Sequence, residues 1–130
     1  RIMLEMGAFK TAIPLMDESD LSYAQELLDA FHAERNPQRY DTLNLQFHLA
    51  LYAPCNNDVA LSMIDQLHAN SDRYLRPYYP KEDDSAFKSI EEHQALIDAC
   101  HSKDAELACA VLRTHLESTK TLLLGSPLLN

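Results

Sequence analysis

Glycine is scarce in this chain and tryptophan is missing, with two glycines and no tryptophan among 130 residues. So little glycine leaves little material for the tight turns that join short β-strands. Leucine and alanine are abundant and β-branched residues are sparse, a balance that favours helices. The composition therefore argues against a turn-rich β-protein and predicts an all-α fold.

Basic residues are also in short supply, because 11 lysines and arginines face 20 aspartates and glutamates for a formal net charge of −9. A protein that grips a phosphate backbone needs a basic face. We therefore expect no nucleic acid contact by this segment. If the protein binds DNA, another part of it must make the contact.

Long apolar runs and paired cysteines are missing as well. No run approaches the roughly 20 apolar residues that a membrane span requires, and no charged segment followed by an apolar one suggests a secretory signal. The three cysteines are odd in number and form no CxxC pair, which points to a reducing compartment. We expect a cytoplasmic protein with no membrane partner and with buried or half-buried thiols.

Apolar residues recur at helical spacing in six segments, which prolines, a glycine and capping residues separate. The predicted helices run from Arg1 to about Ile13, from Asp17–Asp20 to before Asn36-Pro37, from after Asp41 to Pro54, from Asn56–Asp58 to near Pro77, from Ser85 or Ser89 to Cys100, and from Asp104 to Gly125. Short loops between helices favour antiparallel neighbours. Residues 1–130 are therefore predicted to form a single domain, an antiparallel bundle of about six helices.

Three histidines fall on the apolar stripes of three different predicted helices: His48, His93 and His115. A histidine is seldom found on the buried packing face of a helix unless a partner there binds the lone pair of its imidazole. Several imidazoles that converge with one oxygen ligand are a common way to hold a divalent transition metal.

The register of the last two helices allows these side chains to meet. His93 lies ten residues before the turn at Lys103 and His115 twelve residues after it. A rise of about 1.5 Å per residue places both about 15–18 Å from that turn. Asn44 and His48 are four residues apart and share one face of the third helix. The spacing leaves two interpretations open: a buried metal centre, or histidines that are merely packed in the core.

Two other histidines follow an aspartate by three residues, His32 after Asp29 and His68 after Asp65. Most pairs with this spacing are solvated helix surface. We expect the same of these two histidines.

Four segments of the chain carry sequence motifs: Arg1-Ile2-Met3-Leu4-Glu5, Asn44-Leu45-Gln46-Phe47-His48 with Ala53-Pro54-Cys55-Asn56, Ser89-Ile90-Glu91-Glu92-His93, and Asp104–Ala108 with His115-Leu116. In order and at fitting intervals over essentially the whole chain, they resemble the ligand-responsive domain of GntR-type bacterial transcription regulators, the FadR C-terminal domain or FCD. The resemblance implies a helical bundle that senses a small molecule and forms homodimers. It also implies that DNA is bound by an N-terminal winged helix-turn-helix domain, which this chain lacks.

The resemblance also implies a ligand set. Family members with this motif hold a metal with an Asp or Asn and three histidines, which correspond here to Asn44, His48, His93 and His115. The donor set suits Zn or Ni, with Fe or Mn also compatible. Effectors in the family are commonly small organic acids. Because Asn44 is uncharged where many members have Asp, we expect weaker metal binding and a preference for an anionic effector.

Arg73 is a candidate second anchor for such an effector, since its guanidinium could form a bidentate pair with a carboxylate; an ordinary surface arginine is the alternative. Two other functions stay open. One is a metal-dependent hydrolase, in which the metal would activate water, although Glu92 beside His93 points about 100° away from it on a helix. The other is a metal-free helical dimerisation module. We expect no enzyme activity.

Overall fold

The part of the chain that the structure describes forms six α-helices. The computed structural model describes the backbone of residues 1–75 and 84–124 and the side chains of residues 1–36, 38–70 and 90–118. The helices are α1 (Ile2–Ala12), α2 (Glu18–Ala33), α3 (Pro37–Tyr52), α4 (Asp58–Leu75), α5 (Asp84–His101) and α6 (Ala105–Leu124), with 3₁₀ turns at Ile13–Leu15 and Ala53–Cys55. The described residues contain no strand, which confirms the all-α prediction. None of these helices is long and apolar enough, over the described residues, to cross a membrane.

Helices α2 and α6 start at the capping residues that the sequence indicates, whereas α5 begins at Asp84, before the predicted Ser85 or Ser89. Asp17 forms a capping box at α2, in which its carboxylate accepts from the Asp20 N–H and the Asp20 carboxylate accepts from the Asp17 N–H. The Asp104 carboxylate accepts from the Leu107 N–H at 3.1 Å and caps α6. A side-chain acceptor at this position satisfies an N–H that has no partner within the helix.

The predicted start of α3 is wrong. We expected Asp41 to cap this helix, but α3 begins at Pro37, and the Asn36 side chain accepts from the Gln38 N–H at 3.0 Å. Proline lacks the N–H that would otherwise be unpaired at a first helical position, so Asn36-Pro37 begins a helix as readily as it ends one. Asp41 therefore lies inside α3, where it is only 5% exposed.

The apolar core contains residues from all six helices, and α3, α5 and α6 are surrounded by the others. Helix α2 packs against α3 and α5, α5 packs against α6, and α1 contacts α3, α4 and α6. The short α5–α6 turn contains Lys103 in the left-handed conformation (φ 59°), and its ammonium donates to the Met16 carbonyl. This turn sets the register of α5 against α6.

The cysteines are free thiols, as the sequence predicted. Cys100 is buried, whereas Cys55 and Cys109 are half-buried. Burial raises the pKa of Cys100 to about 12, outweighing the nearby Lys103 charge, and also raises the pKa of Cys109. These two thiols stay protonated near neutral pH, so they are poor metal ligands and poor nucleophiles.

Candidate metal centre

The structure brings His48, His93 and His115 together in the bundle core. The three side chains come from α3, α5 and α6 and are 1%, 2% and 6% exposed. One ring nitrogen from each histidine lies within 4.8 Å of the other two. The rings of His93 and His115 are 4.5 Å apart between centroids, which matches the equal heights that the register around Lys103 predicts.

The spacing of these nitrogens fits a divalent metal. Imidazole nitrogens bind zinc at about 2.0–2.1 Å, so they need to approach one another by no more than about 1–2 Å to share one ion. Burial lowers the pKa of His48 well below 6.5, and the neighbouring His115 and His93 lower it further. A neutral His48 imidazole keeps a lone pair for a metal, as ligation requires.

Glu92 orients the imidazole of His115. The Glu92 carboxylate lies 2.8 Å from His115 Nδ1, and because a carboxylate only accepts, Nδ1 must carry the hydrogen. In the neutral imidazole this leaves the lone pair on Nε2. Glu92, which adjoins His93 in the sequence, thus reaches the histidine of the next helix. Such a carboxylate contact is typical of metal-binding histidines.

Tyr52 contacts the second histidine. Its hydroxyl lies 3.3 Å from His48 Nδ1 and 2.8 Å from the carboxylate of Glu5. Glu5 itself is fully buried and also contacts His68 Nε2 and Arg1 Nε, each at 2.8 Å. Burial raises the pKa of Glu5, but the hydrogen bond to His68 and the charges of His68 and Arg1 outweigh it and lower this pKa to about 2.

Aromatic packing holds the third histidine. The edge-on rings of Phe31 and Phe47 each lie 5.2 Å from the ring of His93, at interplanar angles of 66° and 79°. Phe47 also lies 5.4 Å from the ring of His48. The two phenyl rings therefore form an apolar wall beside the centre, which excludes water from that side.

The prediction for His68 is wrong, because this side chain is fully buried rather than solvated. Its ring lies 5.4 Å from that of His48, and its partner is Glu5 of α1 rather than Asp65. Sequence reasoning also missed Glu5 and Tyr52. The four-residue spacing between His48 and Tyr52 was a usable signal for the tyrosine, whereas Glu5 and its partners are far apart in the sequence.

Asn44 and Arg73 complete the set of predicted site residues. Asn44 lies on α3, one turn before His48, and is 8% exposed. Its assignment as the fourth ligand stays a prediction. Arg73 belongs to α4, but its side chain lies outside the described residues. Its contact with an effector also stays a prediction.

Acid is expected to destabilise the metal-free chain in two steps. The pKa of His48 is depressed in the fold, so the stability it contributes above its unfolded pKa of about 6.5 is lost as pH falls below that value. The pKa of Glu5 is also depressed, so its contribution, about 3 kcal/mol, is lost as pH falls from about 4.5 towards 2. Urea unfolding in EDTA at a series of pH values measures both steps.

Glu5→Gln should remove the more acidic step and leave the step near pH 6 in place, since the glutamine does not titrate. The exposed Glu26→Gln should retain both steps. A Glu5→Gln chain with an unchanged profile below pH 4.5 would contradict the assignment.

Comparison with known proteins places the chain in a family. Residues 1–118 match the FCD domain, whereas no curated protein matches the chain. Its fold is similar to that of E. coli McbR/YncC, at 25% identity and a TM-score of 0.80 over 95% of this chain and 63% of that one.

A second similar structure is a GntR-family transcriptional regulator from Pseudomonas syringae pv. tomato str. DC3000, at 26% identity and a TM-score of 0.76 over 94% of this chain and 52% of that one. The chain thus spans between half and two-thirds of each protein's length. With a match over residues 1–118, this chain belongs to the FCD family, the effector-sensing regulatory domain of GntR-type transcription regulators.

Proposed function

We propose that this chain binds a divalent metal and a small carboxylate ligand in the bundle core and thereby modulates DNA binding by a separate N-terminal domain. The observation that carries the proposal is the convergence of three buried imidazoles, with one nitrogen from each within 4.8 Å of the others. Asn44, His48, His93 and His115 are the proposed ligands. Zn or Ni suits this set best, and Fe or Mn is also compatible.

The charge of the proposed centre favours an anionic ligand. Three imidazoles and an amide oxygen add no charge, so the metal keeps its full dipositive charge in a buried environment. A carboxylate that fills an open coordination position offsets this charge, and the low local dielectric strengthens the attraction.

We propose no turnover at this centre. A hydrolase would need a carboxylate free to take a proton from metal-bound water. Glu92 is engaged with His115 Nδ1 and Glu5 with Tyr52. Both carboxylates therefore orient other side chains.

The proposed partners follow from the same argument. Because its net charge is −9, this segment is proposed to make no DNA contact of its own. Its free cysteines are consistent with the proposed cytoplasmic location. A homodimer is proposed through α1 and α4, because Met3, Val59 and Met63 are 89%, 71% and 49% exposed there. Effector binding would shift the equilibrium between two arrangements of the dimer. This shift would change the distance between the two DNA-binding domains.

Calorimetry on the zinc-loaded chain, freed of excess metal, tests the proposal with acetate, a hydroxy acid and a sugar acid as probes. We expect one zinc per chain and carboxylate binding that requires the metal. A chain that binds no metal would overturn the proposed function. Carboxylate binding of equal affinity to the EDTA-treated chain would overturn the role of the metal as anchor.

Asn44→Asp separates charge from shape in the same assay. The added carboxylate should tighten zinc binding. It should also weaken the binding of the acid probes by about tenfold, because its negative charge lowers the net positive charge of the centre by one. Asn70→Asp on the exposed part of α4 makes the same chemical change away from the centre. Unchanged or improved carboxylate affinity in Asn44→Asp would contradict the charge argument.

A further inference from the structure

We propose that Glu5 and Tyr52 are positioning residues for the metal centre, because together they hold His48 in the tautomer whose Nε2 lone pair is available to the metal. This inference rests on the proposed metal site and adds two residues that do not touch the metal. Glu5 belongs to α1 and Tyr52 to the last turn of α3. The hydrogen-bonded chain therefore links a helix that supplies no metal ligand to one that does.

The direction of each hydrogen bond follows from counting protons. Glu5 is ionised, so its carboxylate only accepts and the single hydrogen of the Tyr52 hydroxyl points to it. The Tyr52 oxygen can then only accept from His48 Nδ1, 3.3 Å away. His48 thus carries its hydrogen on Nδ1 and its lone pair on Nε2. His115 reaches the same tautomer through Glu92.

The carboxylate of Glu5 is itself fixed in place. Its Oε1 lies 2.8 Å from both the Tyr52 hydroxyl and His68 Nε2, and its Oε2 lies 2.8 Å from Arg1 Nε. Three partners hold the two oxygens: Arg1 just before α1, Tyr52 on α3 and His68 on α4. A fixed acceptor keeps the tyrosine hydroxyl in one orientation, and that orientation selects the His48 tautomer.

Removal of the tyrosine hydroxyl should release this selection. The Nδ1 hydrogen of His48 would lose its acceptor in a fully buried position, which favours the other tautomer, with the hydrogen on Nε2. That tautomer must be reversed before a metal can bind through Nε2. Loss of a partner that orients a metal-binding histidine typically weakens metal affinity by about 10–100-fold.

The tautomer can be read without any substitution, by ¹⁵N NMR of the imidazoles in the metal-free chain near neutral pH. The expected result is a protonated Nδ1 and an unprotonated Nε2 for His48. A hydrogen on Nε2 would overturn the proposal, whether or not the chain binds metal.

Tyr52→Phe then tests the effect on the metal, with Tyr23→Phe on the exposed face of α2 as the matched control. Zinc affinity, measured against a competing chelator, should fall about 10–100-fold in Tyr52→Phe and stay unchanged in the control. The ¹⁵N spectrum of Tyr52→Phe should show the other His48 tautomer, a change that a purely structural role for the hydroxyl would not cause.

If Tyr52→Phe binds zinc as tightly as the unchanged chain, this inference alone is overturned. If the unchanged chain binds no zinc, the proposed function is overturned. Equal weakening by both tyrosine substitutions would also overturn the inference, because the effect would then not come from the contact with His48.

Discussion

Replacing His115 with alanine is expected to abolish the stabilisation that zinc gives to the folded chain. An ion that binds only the folded state at 100 times its dissociation constant adds about 2.7 kcal/mol to the free energy of unfolding. Without His115, two buried imidazoles and the Asn44 amide remain as proposed ligands. Loss of a residue that only orients a ligand weakens metal binding by about 10–100-fold, and loss of a ligand itself should weaken it more. At the same zinc concentration the added stability should therefore fall to near zero.

Chemical unfolding with zinc and with EDTA measures this difference. His101→Ala is the matched control, because His101 ends α5 with a side chain 48% exposed and lies 3.8 Å from Glu18. It should keep the full response to zinc. If His115→Ala were stabilised by zinc as much as the unchanged chain, the ion would bind elsewhere and the three-histidine centre would be wrong.

The sequence predicted the helices and the equal heights of His93 and His115 because both depend on local spacing. Helical periodicity gave six segments, and the turn at Lys103 set His93 opposite His115. The predicted start of α3 was wrong for an equally local reason. Asn36-Pro37 is compatible with the end of one helix and the start of the next, and only packing makes Asp41 a buried residue of α3.

The contacts around the histidines could not be predicted in the same way. Glu5 lies 47 residues from Tyr52 and 63 from His68, so no short pattern joins them. The burial of His68 depends on α4 packing against α1, which the spacing to Asp65 does not reveal. Glu92 illustrates the same limit, since no sequence pattern reveals its contact with His115 on α6.

Phe47→Ala is expected to cause a large loss of stability while leaving all proposed metal ligands in place. Phe47 is fully buried, and removing a buried phenyl ring costs about 3–5 kcal/mol because the cavity closes only partly. The ring also contacts both His48 and His93. Urea unfolding of the metal-free chain in EDTA measures the packing loss alone.

Two controls define the size of that loss. Phe47→Leu keeps most of the volume and should cost roughly 1–2 kcal/mol, while Leu107→Ala at a half-exposed position should change stability by less than about 0.5 kcal/mol. A loss below 1 kcal/mol in Phe47→Ala would contradict tight packing of the wall beside the histidines.

Repeating the Phe47→Ala measurement with zinc separates packing from the orientation of the ligands. If the phenyl ring only fills space, zinc should add the same stability to Phe47→Ala as to the unchanged chain. We expect a smaller increment, because the imidazoles of His48 and His93 lose a common wall and must be ordered when the ion binds. An equal increment would show that the hydrogen bonds that His48 and His115 donate to Tyr52 and Glu92 orient the ligands without help from the apolar side.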